Sequence, residues 1–203
     1  MWQEHRPHHM QRYMQQNPYR LLALSFLAVM TVGTLLLMLP IASTQGQGTA
    51  LVDAAFTAVS CVSVTGLATV DTYYHWSLFG KIVMVILIQL GGLGVMTVSI
   101  IVFLLVGKKM SFETRELLKE ERNSNSNGEI TNFIKQLLLT VFVIEISGAL
   151  ILTYGFSKYY SLKRALFYGL FHSVSAFCNA GFSLFTNNLE IFKYDKLISL
   201  TIS

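Results

Sequence analysis

This chain of 203 residues is too apolar for an ordinary soluble domain, because 53% of its residues are hydrophobic and only 13% are charged. Its formal net charge of +4 is small and the basic residues stand at the ends of apolar stretches, so the charge pattern does not favour nucleic-acid binding. The apolar residues gather in stretches close to the thickness of a membrane. We therefore predict an integral membrane protein built from α-helices.

The first apolar stretch follows a polar tail, residues 1–20. Residues 21–41 are almost uninterruptedly apolar, and a helix of that length, at about 1.5 Å per residue, reaches about 30 Å, the thickness of the hydrocarbon core. Pro40 ends this span. Residues 50–59 are also apolar, but about ten residues are too few to cross a bilayer and favour a re-entrant segment.

A second full span, residues 82–106, contains the motif Gln89-Leu-Gly-Gly-Leu-Gly94. Its Gly92-Leu-Gly94 part superficially resembles a dinucleotide-binding loop, but no strand precedes it and no acidic ribose ligand follows at the expected place. Glycines inside a membrane helix instead permit close backbone packing or a bend. We adopt this second interpretation.

Residues 107–131 form the charged stretch of the sequence. We predict a surface helix over residues 113–122 and a flexible loop over residues 123–128, which are rich in Asn and Ser. The third span, residues 133–156, contains Glu145, an ionisable group that is costly in a membrane. A functional role for this carboxylate and a structural pairing with a neighbouring helix remain equally open. A second short helix is predicted over residues 162–177, with Ser161 as its cap.

The short helix regions contain the same pattern twice, at residues 56–67 and, 115 positions later without gaps, at residues 171–182. The two copies have identical residues at several matching positions. These pairs are Phe56/Phe171, Val59/Val174, Ser60/Ser175 and Gly66/Gly181. A recurrence of this kind between spans indicates a repeated membrane module. We interpret each copy as a pore helix followed by a loop that coordinates a cation.

Irregular backbone at membrane depth must be buried in protein or line a cavity, and a ring of carbonyl groups suits a monovalent cation that sheds its water. A glycine in each loop permits positive φ, and the C-terminal end of the preceding helix favours cations. Neither loop carries an acidic or a basic ring. The candidate filter residues are Ser63, Val64, Thr65, Gly66, Cys178, Asn179, Ala180 and Gly181. The carbonyl groups of Val64, Thr65, Gly66, Asn179, Ala180 and Gly181 are the candidate ion ligands.

Several motifs resemble the Trk/Ktr/HKT superfamily of potassium transporters, most closely the membrane subunit of a bacterial Ktr system. These motifs are Asp53-Ala-Ala-Phe-Thr-Ala-Val-Ser60, Val64-Thr-Gly-Leu67, Gln89-Leu-Gly-Gly-Leu-Gly94 and the pattern of residues 171–182. The resemblance implies four helix–pore-helix–helix repeats around one pore, each with a filter glycine, here Gly66 and Gly181. Glycine at the first position is what the potassium-selective members carry, so potassium is the expected substrate. Stimulation by sodium stays open, and no cofactor is expected on this chain.

The same resemblance implies a homodimer, a cytosolic nucleotide-binding regulatory ring, and a place in the bacterial plasma membrane. Basic residues before the first span and in residues 107–135 favour a cytoplasmic N-terminus and a cytoplasmic linker. The expected division is a tail over residues 1–20, a first repeat over 21–106, a linker over 107–131 and a second, incomplete repeat over 132–203. With fewer than two of the four repeats, the sequence looks cut off inside its last helix.

Four alternatives remain. The chain could be a channel subunit with two pore repeats that dimerises, a sodium-permeable member of the same superfamily, or a membrane scaffold. A more remote alternative is an intramembrane enzyme with Cys61 or Cys178 as nucleophile, which we expect instead to be free thiols. His172 is the nearest base in the sequence, but six positions in a helix place it on a different face from Cys178, and no carboxylate orients it. We therefore predict that the chain is not an enzyme.

Overall fold

The computed structural model describes residues 18–106 and 126–203 of the chain. Most of the predicted tail and the predicted surface helix over residues 113–122 lie outside these residues. Within them all regular structure is helical, apart from one antiparallel bridge between Ser43 and Trp76. This confirms the predicted all-helical class for the part of the chain that the structure describes.

The helices are numbered α1 to α7 in chain order. They are α1 (Pro18–Met38), α2 (Leu51–Val62), α3 (Thr72–His75), α4 (Leu78–Val106), α5 (Ser126–Ser157), α6 (Leu162–Phe177) and α7 (Lys196–Ile202), with single 3-10 turns at Pro40–Ala42 and Glu190–Phe192. The predicted spans over residues 82–106 and 133–156 fall within α4 and α5, whereas the predicted span over residues 21–41 extends three residues beyond the end of α1 at Met38. The predicted second short helix coincides with α6. The number of membrane crossings stays a prediction.

The helices pack in two groups. Helices α1, α2 and α4 contact one another, as do α5, α6 and α7, and contact between α4 and α6 joins the groups. Helix α2 has 12 residues and is about 18 Å long, which is well short of the hydrocarbon thickness. Each group therefore places one short helix, α2 or α6, against long apolar ones.

The outer face of the long helices is apolar. On α5, Leu139, Phe142, Ile146 and Leu150 recur at helical spacing and are each at least half exposed. One helical segment among the described residues, Lys135–Ser157, is long and apolar enough by itself to cross a membrane, while Ala23–Met38 and Leu78–Gly94 are shorter apolar segments. An exposed apolar stripe of this kind suits contact with lipid or with further membrane helices.

Two helix starts differ from the predictions, and one predicted cap residue makes no capping hydrogen bond with its side chain. The tail was predicted to reach residue 20, but α1 begins at Pro18, since proline is well suited to the first turn of a helix. The flexible loop predicted over residues 123–128 is wrong from Ser126 onward, where α5 begins, because Ser and Asn also favour helix N-termini. Ser161 is the N-cap residue of α6, but its side chain makes no capping hydrogen bond.

Candidate ion-coordinating site

The two predicted loops leave their helices with the same backbone conformation. Helix α2 ends in Ser63 (φ −83°, ψ 0°) and α6 ends in Cys178 (φ −74°, ψ −4°). The next residues, Val64 and Asn179, are left-handed with φ of 55° and 57°. Two positions further on, both glycines have φ of 72°. Positions 115 residues apart in the sequence therefore share an unusual alternation of backbone conformation.

A buried serine anchors each loop to its helix. The carbonyl of Ser60 accepts a hydrogen bond from the N–H of Thr65 at 3.0 Å, and the carbonyl of Ser175 accepts one from Ala180 at 2.7 Å. The Ser60 hydroxyl also accepts from the N–H of Leu67 at 2.9 Å. The Ser175 hydroxyl donates to the carbonyl of Phe182 at 2.8 Å. Each serine thus holds both the middle and the far end of its loop.

The sequence singled out Ser60 and Ser175 as a recurring pair but assigned them no role. Their recurrence at equal distance before the two glycines was the signal that could have identified them as anchors. Both are only 3% exposed, so their hydroxyl groups need partners inside the protein. The loops supply these partners.

The two loops lie against each other at their glycines. A Cβ atom added to Gly66 would lie 2.6 Å from the carbonyl oxygen of Ala180 and 3.1 Å from the Cα of Gly181. The positive φ at Gly66 is also unfavourable for any residue with a side chain. Two independent constraints, conformation and space, therefore require glycine at position 66.

A polar cavity of about 320 Å³ opens beside the two glycines. Its lining includes Gly66, Gly181, Asp71, Thr72, Thr186 and Asn188. Asp71 is the acidic residue of this lining, and its Oδ1 accepts hydrogen bonds from the N–H groups of Tyr73 and Tyr74. The C-terminal ends of α2 and α6, which carry partial negative charge, lead into the same loops. The electrostatics of this region favour a cation.

Helix α4 supports both loops through its adjacent glycines. A Cβ atom on Gly91 would lie 2.7 Å from the carbonyl carbon of Val62 at the end of α2. A Cβ atom on Gly92 would lie 2.6 Å from the Sγ of Cys178 at the end of α6. The predicted close packing at this motif is confirmed, and it places α4 against the origin of each loop.

Glu145 pairs with a neighbouring helix, as the structural interpretation of this carboxylate required. The carboxylate oxygen Oε1 accepts a hydrogen bond from Nε2 of Gln89 on α4 at 2.9 Å. The main-chain carbonyl of Glu145 accepts another from the hydroxyl of Ser173 on α6 at 2.7 Å. Glu145 therefore connects three helices, and the sequence did not indicate either partner.

Within residues 18–106 and 126–203, the two cysteines have no catalytic geometry. Cys61 and Cys178 are both buried free thiols, as predicted. The ring of His172 is fully engaged elsewhere: Nδ1 lies 2.7 Å from the carbonyl oxygen of Tyr168, and Nε2 accepts from the N–H of Leu184 at 3.3 Å. With its Nε2 also 3.2 Å from the hydroxyl of Ser183, His172 holds the segment after the second loop in place.

Replacing Cys61 and Cys178 together with serine is expected to leave the cation transport predicted from the sequence largely intact, because the described residues hold no base positioned to activate either thiol. Uptake per molecule of protein in the membrane is the measurement. An enzyme that used either thiol would lose essentially all activity, so a complete loss of function in a well-inserted double variant would contradict this expectation.

A family model and several curated relatives that match this sequence are all described as cation or potassium transport proteins. The sequence matches the family described as "TrkH: Cation transport protein" over residues 2–203. It is 39% identical over 192 residues to Ktr system potassium uptake protein B of Bacillus subtilis. The aligned region covers 95% of this chain and 43% of the relative. The protein of the same name from Vibrio alginolyticus is 39% identical over 184 residues, covering 91% of this chain and 40% of the relative.

A third relative is the potassium/sodium uptake protein NtpJ of Enterococcus hirae, which is 38% identical over 173 residues. That match covers 85% of this chain and 38% of the relative. The chain thus spans about two fifths of the length of these curated relatives.

Proposed function

The chain belongs to the TrkH family of cation transport proteins, and from this premise we propose that it forms part of a membrane pore for selective potassium uptake. Family membership confirms the resemblance found in the sequence. It also confirms the prediction that the chain is not an enzyme, because the relatives are named as uptake proteins.

The observation that carries the proposal is the alternation of left-handed residues in the two loops. In ordinary extended backbone, successive carbonyl groups point in opposite directions, whereas left-handed residues at alternate positions turn successive carbonyls toward one side. Positive φ at Val64 and Gly66, and again at Asn179 and Gly181, supports such a row of oxygens in each loop. A row of carbonyl oxygens can replace the water around a potassium ion without trapping it by full charge.

In this proposal the eight candidate filter residues form two filter strands. Val64, Thr65 and Gly66 supply carbonyl ligands from the first strand, and the second strand supplies those of Asn179, Ala180 and Gly181. Ser63 and Cys178 begin the strands at the ends of α2 and α6, and the serine anchors support this assignment because they hold the loops at both ends. Potassium is the substrate rather than a cofactor.

The proposed architecture is a repeated helix–pore-helix–helix module, with repeats over residues 21–106 and 132–203 separated by a linker. Two filter strands do not surround an ion, so further strands must come from protein outside this sequence, in the same subunit or another chain. We also propose a multi-pass protein of the bacterial plasma membrane with a cytoplasmic N-terminus. Its proposed partners are a second copy and a cytosolic nucleotide-binding ring.

Sodium permeation is the second candidate function, and the name of the Enterococcus hirae relative favours keeping it. Glycine at position 66 supports potassium instead, because the resemblance to the superfamily assigns glycine at this position to its potassium-selective members. The narrow contact with Ala180 leaves no space for the serine that would point to sodium. The two candidates differ in one measurable quantity, the ratio of potassium to sodium uptake.

The complete gene that encodes this sequence is expected to restore growth at low potassium in cells that lack their own uptake systems. Potassium uptake is expected to exceed sodium uptake at equal concentrations, because carbonyl oxygens of the proposed kind replace the hydration shell of potassium. The measurement is radiotracer or flame-photometric uptake, with an empty vector as control and the regulatory ring supplied. No uptake above the vector, with the protein present in the membrane, would refute the proposed function.

A further inference from the structure

Gln89 and Glu145 form a polar contact at the junction between the two helix groups. Glu145 is only 3% exposed, and its Oε1 lies 2.9 Å from Nε2 of Gln89. No lysine or arginine pairs with Glu145 among the described residues, where the ion pair found joins Lys158 and Asp195. The side-chain amide of Gln89 is therefore the group that satisfies this carboxylate within the described part of the chain.

The contact continues to the second loop through α6. Ser173, which is 6% exposed, donates from its hydroxyl to the main-chain carbonyl of Glu145. Gly148, one turn further along α5, leaves the space for Ser173, because an added Cβ there would lie 2.6 Å from the serine Oγ. Two residues after Ser173 in the same helix, Ser175 anchors the end of the second loop.

Helix α4 connects Gln89 to the starts of both loops. Gln89 is followed within one turn by Gly91 and Gly92, which touch the ends of α2 and α6. A shift of α4 that follows the loss of the Gln89 contact would therefore reach the origins of both loops. Packing alone gives no reason for a carboxylate here, since apolar residues of similar volume generally hold helices together as well as a buried ionic group.

We infer that the Gln89–Glu145 contact is a positioning element that sets the register of α4 against α6 and thereby the ion preference of the filter loops. This inference rests on the proposed function and deepens it. Gln89 and Glu145 touch no ion in this assignment. They act through Ser173 and the two glycines.

Replacing Gln89 with leucine tests the inference in the full-length subunit. The change keeps the volume of the side chain but leaves the carboxylate without its donor, which costs more than the hydrogen bond itself. We expect the potassium-to-sodium uptake ratio to fall about tenfold and the KM for potassium to rise by a similar factor, as the loss of one hydrogen bond to a charged group would produce. Gln89→Asn, which shortens the side chain by one methylene, is expected to give a smaller change in the same direction.

Two further variants separate contact from charge. Glu145→Gln removes the charge but keeps an amide-to-amide hydrogen bond, so it is expected to retain most of the wild-type ratio. The exchange Gln89→Glu with Glu145→Gln restores the same pair in reverse and is expected to recover both the ratio and KM. Gln136→Leu, an exposed glutamine on the same helix as Glu145, is the matched control and is expected to behave as wild type.

A wild-type ratio and KM in both Gln89→Leu and Gln89→Asn, with only the amount of protein in the membrane reduced, would overturn the inference in favour of a purely structural role. An equal loss in Glu145→Gln and Gln89→Leu would also overturn it, because charge rather than contact would then matter. Absence of potassium uptake in the wild type is a different result. It would refute the proposed function itself.

Discussion

Gly66→Ser is expected to remove most of the preference for potassium over sodium while the protein still reaches the membrane. Serine would have to adopt φ near the 72° of Gly66, which costs a residue with a side chain about 1–2 kcal/mol. Its Cβ would also lie 2.6 Å from the carbonyl oxygen of Ala180, and relieving such a contact costs about 1–3 kcal/mol. Because that oxygen is itself a proposed ion ligand, the loop that yields is the filter.

The measurement for this variant is the potassium-to-sodium uptake ratio at equal ion concentrations. We expect a fall of at least about tenfold, which corresponds to a loss of about 1.4 kcal/mol in the difference between the two ions, because the loop must move to relieve the strain and carries its proposed ligand oxygens with it. An unchanged ratio, with protein levels equal to the wild type, would show that Gly66 does not line the ion path.

Gly46→Ser is the matched control for the conformational cost. Gly46 has φ of 68°, close to that of Gly66, but a Cβ atom added there meets nothing within 4 Å. We expect this variant to lose some stability and to keep the wild-type ion preference. A similar loss of preference in Gly46→Ser would mean that destabilisation alone, and not the filter contact, explains the effect.

Gly91→Ala is expected to cause the second large effect, a loss of most transport together with reduced stability. The new methyl group would lie 2.7 Å from the carbonyl carbon and 2.9 Å from the Cα of Val62, and backbone atoms at the end of a helix cannot turn aside as a side chain can. Helix α4 must therefore move away from the end of α2, where the first loop begins. Overpacking of this kind costs about 1–3 kcal/mol.

Uptake per molecule and the thermal midpoint of the detergent-solubilised protein measure this effect. Gly94→Ala on the same helix is the control, because the atoms nearest to its methyl group would be those of the Phe26 ring, at 3.2 Å, and that side chain can adjust. We expect Gly94→Ala to retain at least half of the wild-type uptake. Equal behaviour of the two variants would show that the contact between Gly91 and Val62 does not support the loop.

The two loops share one backbone conformation although the side chains before their glycines differ. The first copy has Ser63, Val64 and Thr65 before its glycine, and the second has Cys178, Asn179 and Ala180. Their backbone angles agree although their side chains differ, as expected if main-chain groups rather than side chains form the proposed site. The shared serines, Ser60 and Ser175, stand where the side chain does have a function, which is to hold the loop.

The sequence by itself determined the membrane class, the positions of the long helices and the two loops. Apolar stretches of membrane length and a gap-free repeat are local or periodic signals, and they are readable without knowing which helices touch. Helix α6 was predicted at its observed bounds for this reason. The glycines of α4 were likewise recognised as packing residues, although their partners were not.

Only the tertiary structure decided which groups meet. Gln89 and Glu145 are 56 positions apart, and the two loop glycines, Gly66 and Gly181, are 115 apart, so their contacts depend on how the helices cross. No local pattern encodes such crossings, because the same apolar face can pack against several partners. For Glu145, the sequence left a functional and a structural role equally open, and the structure showed its partner. The start of α5 at Ser126 could not be predicted from composition, because Ser and Asn are common both in loops and at helix N-termini.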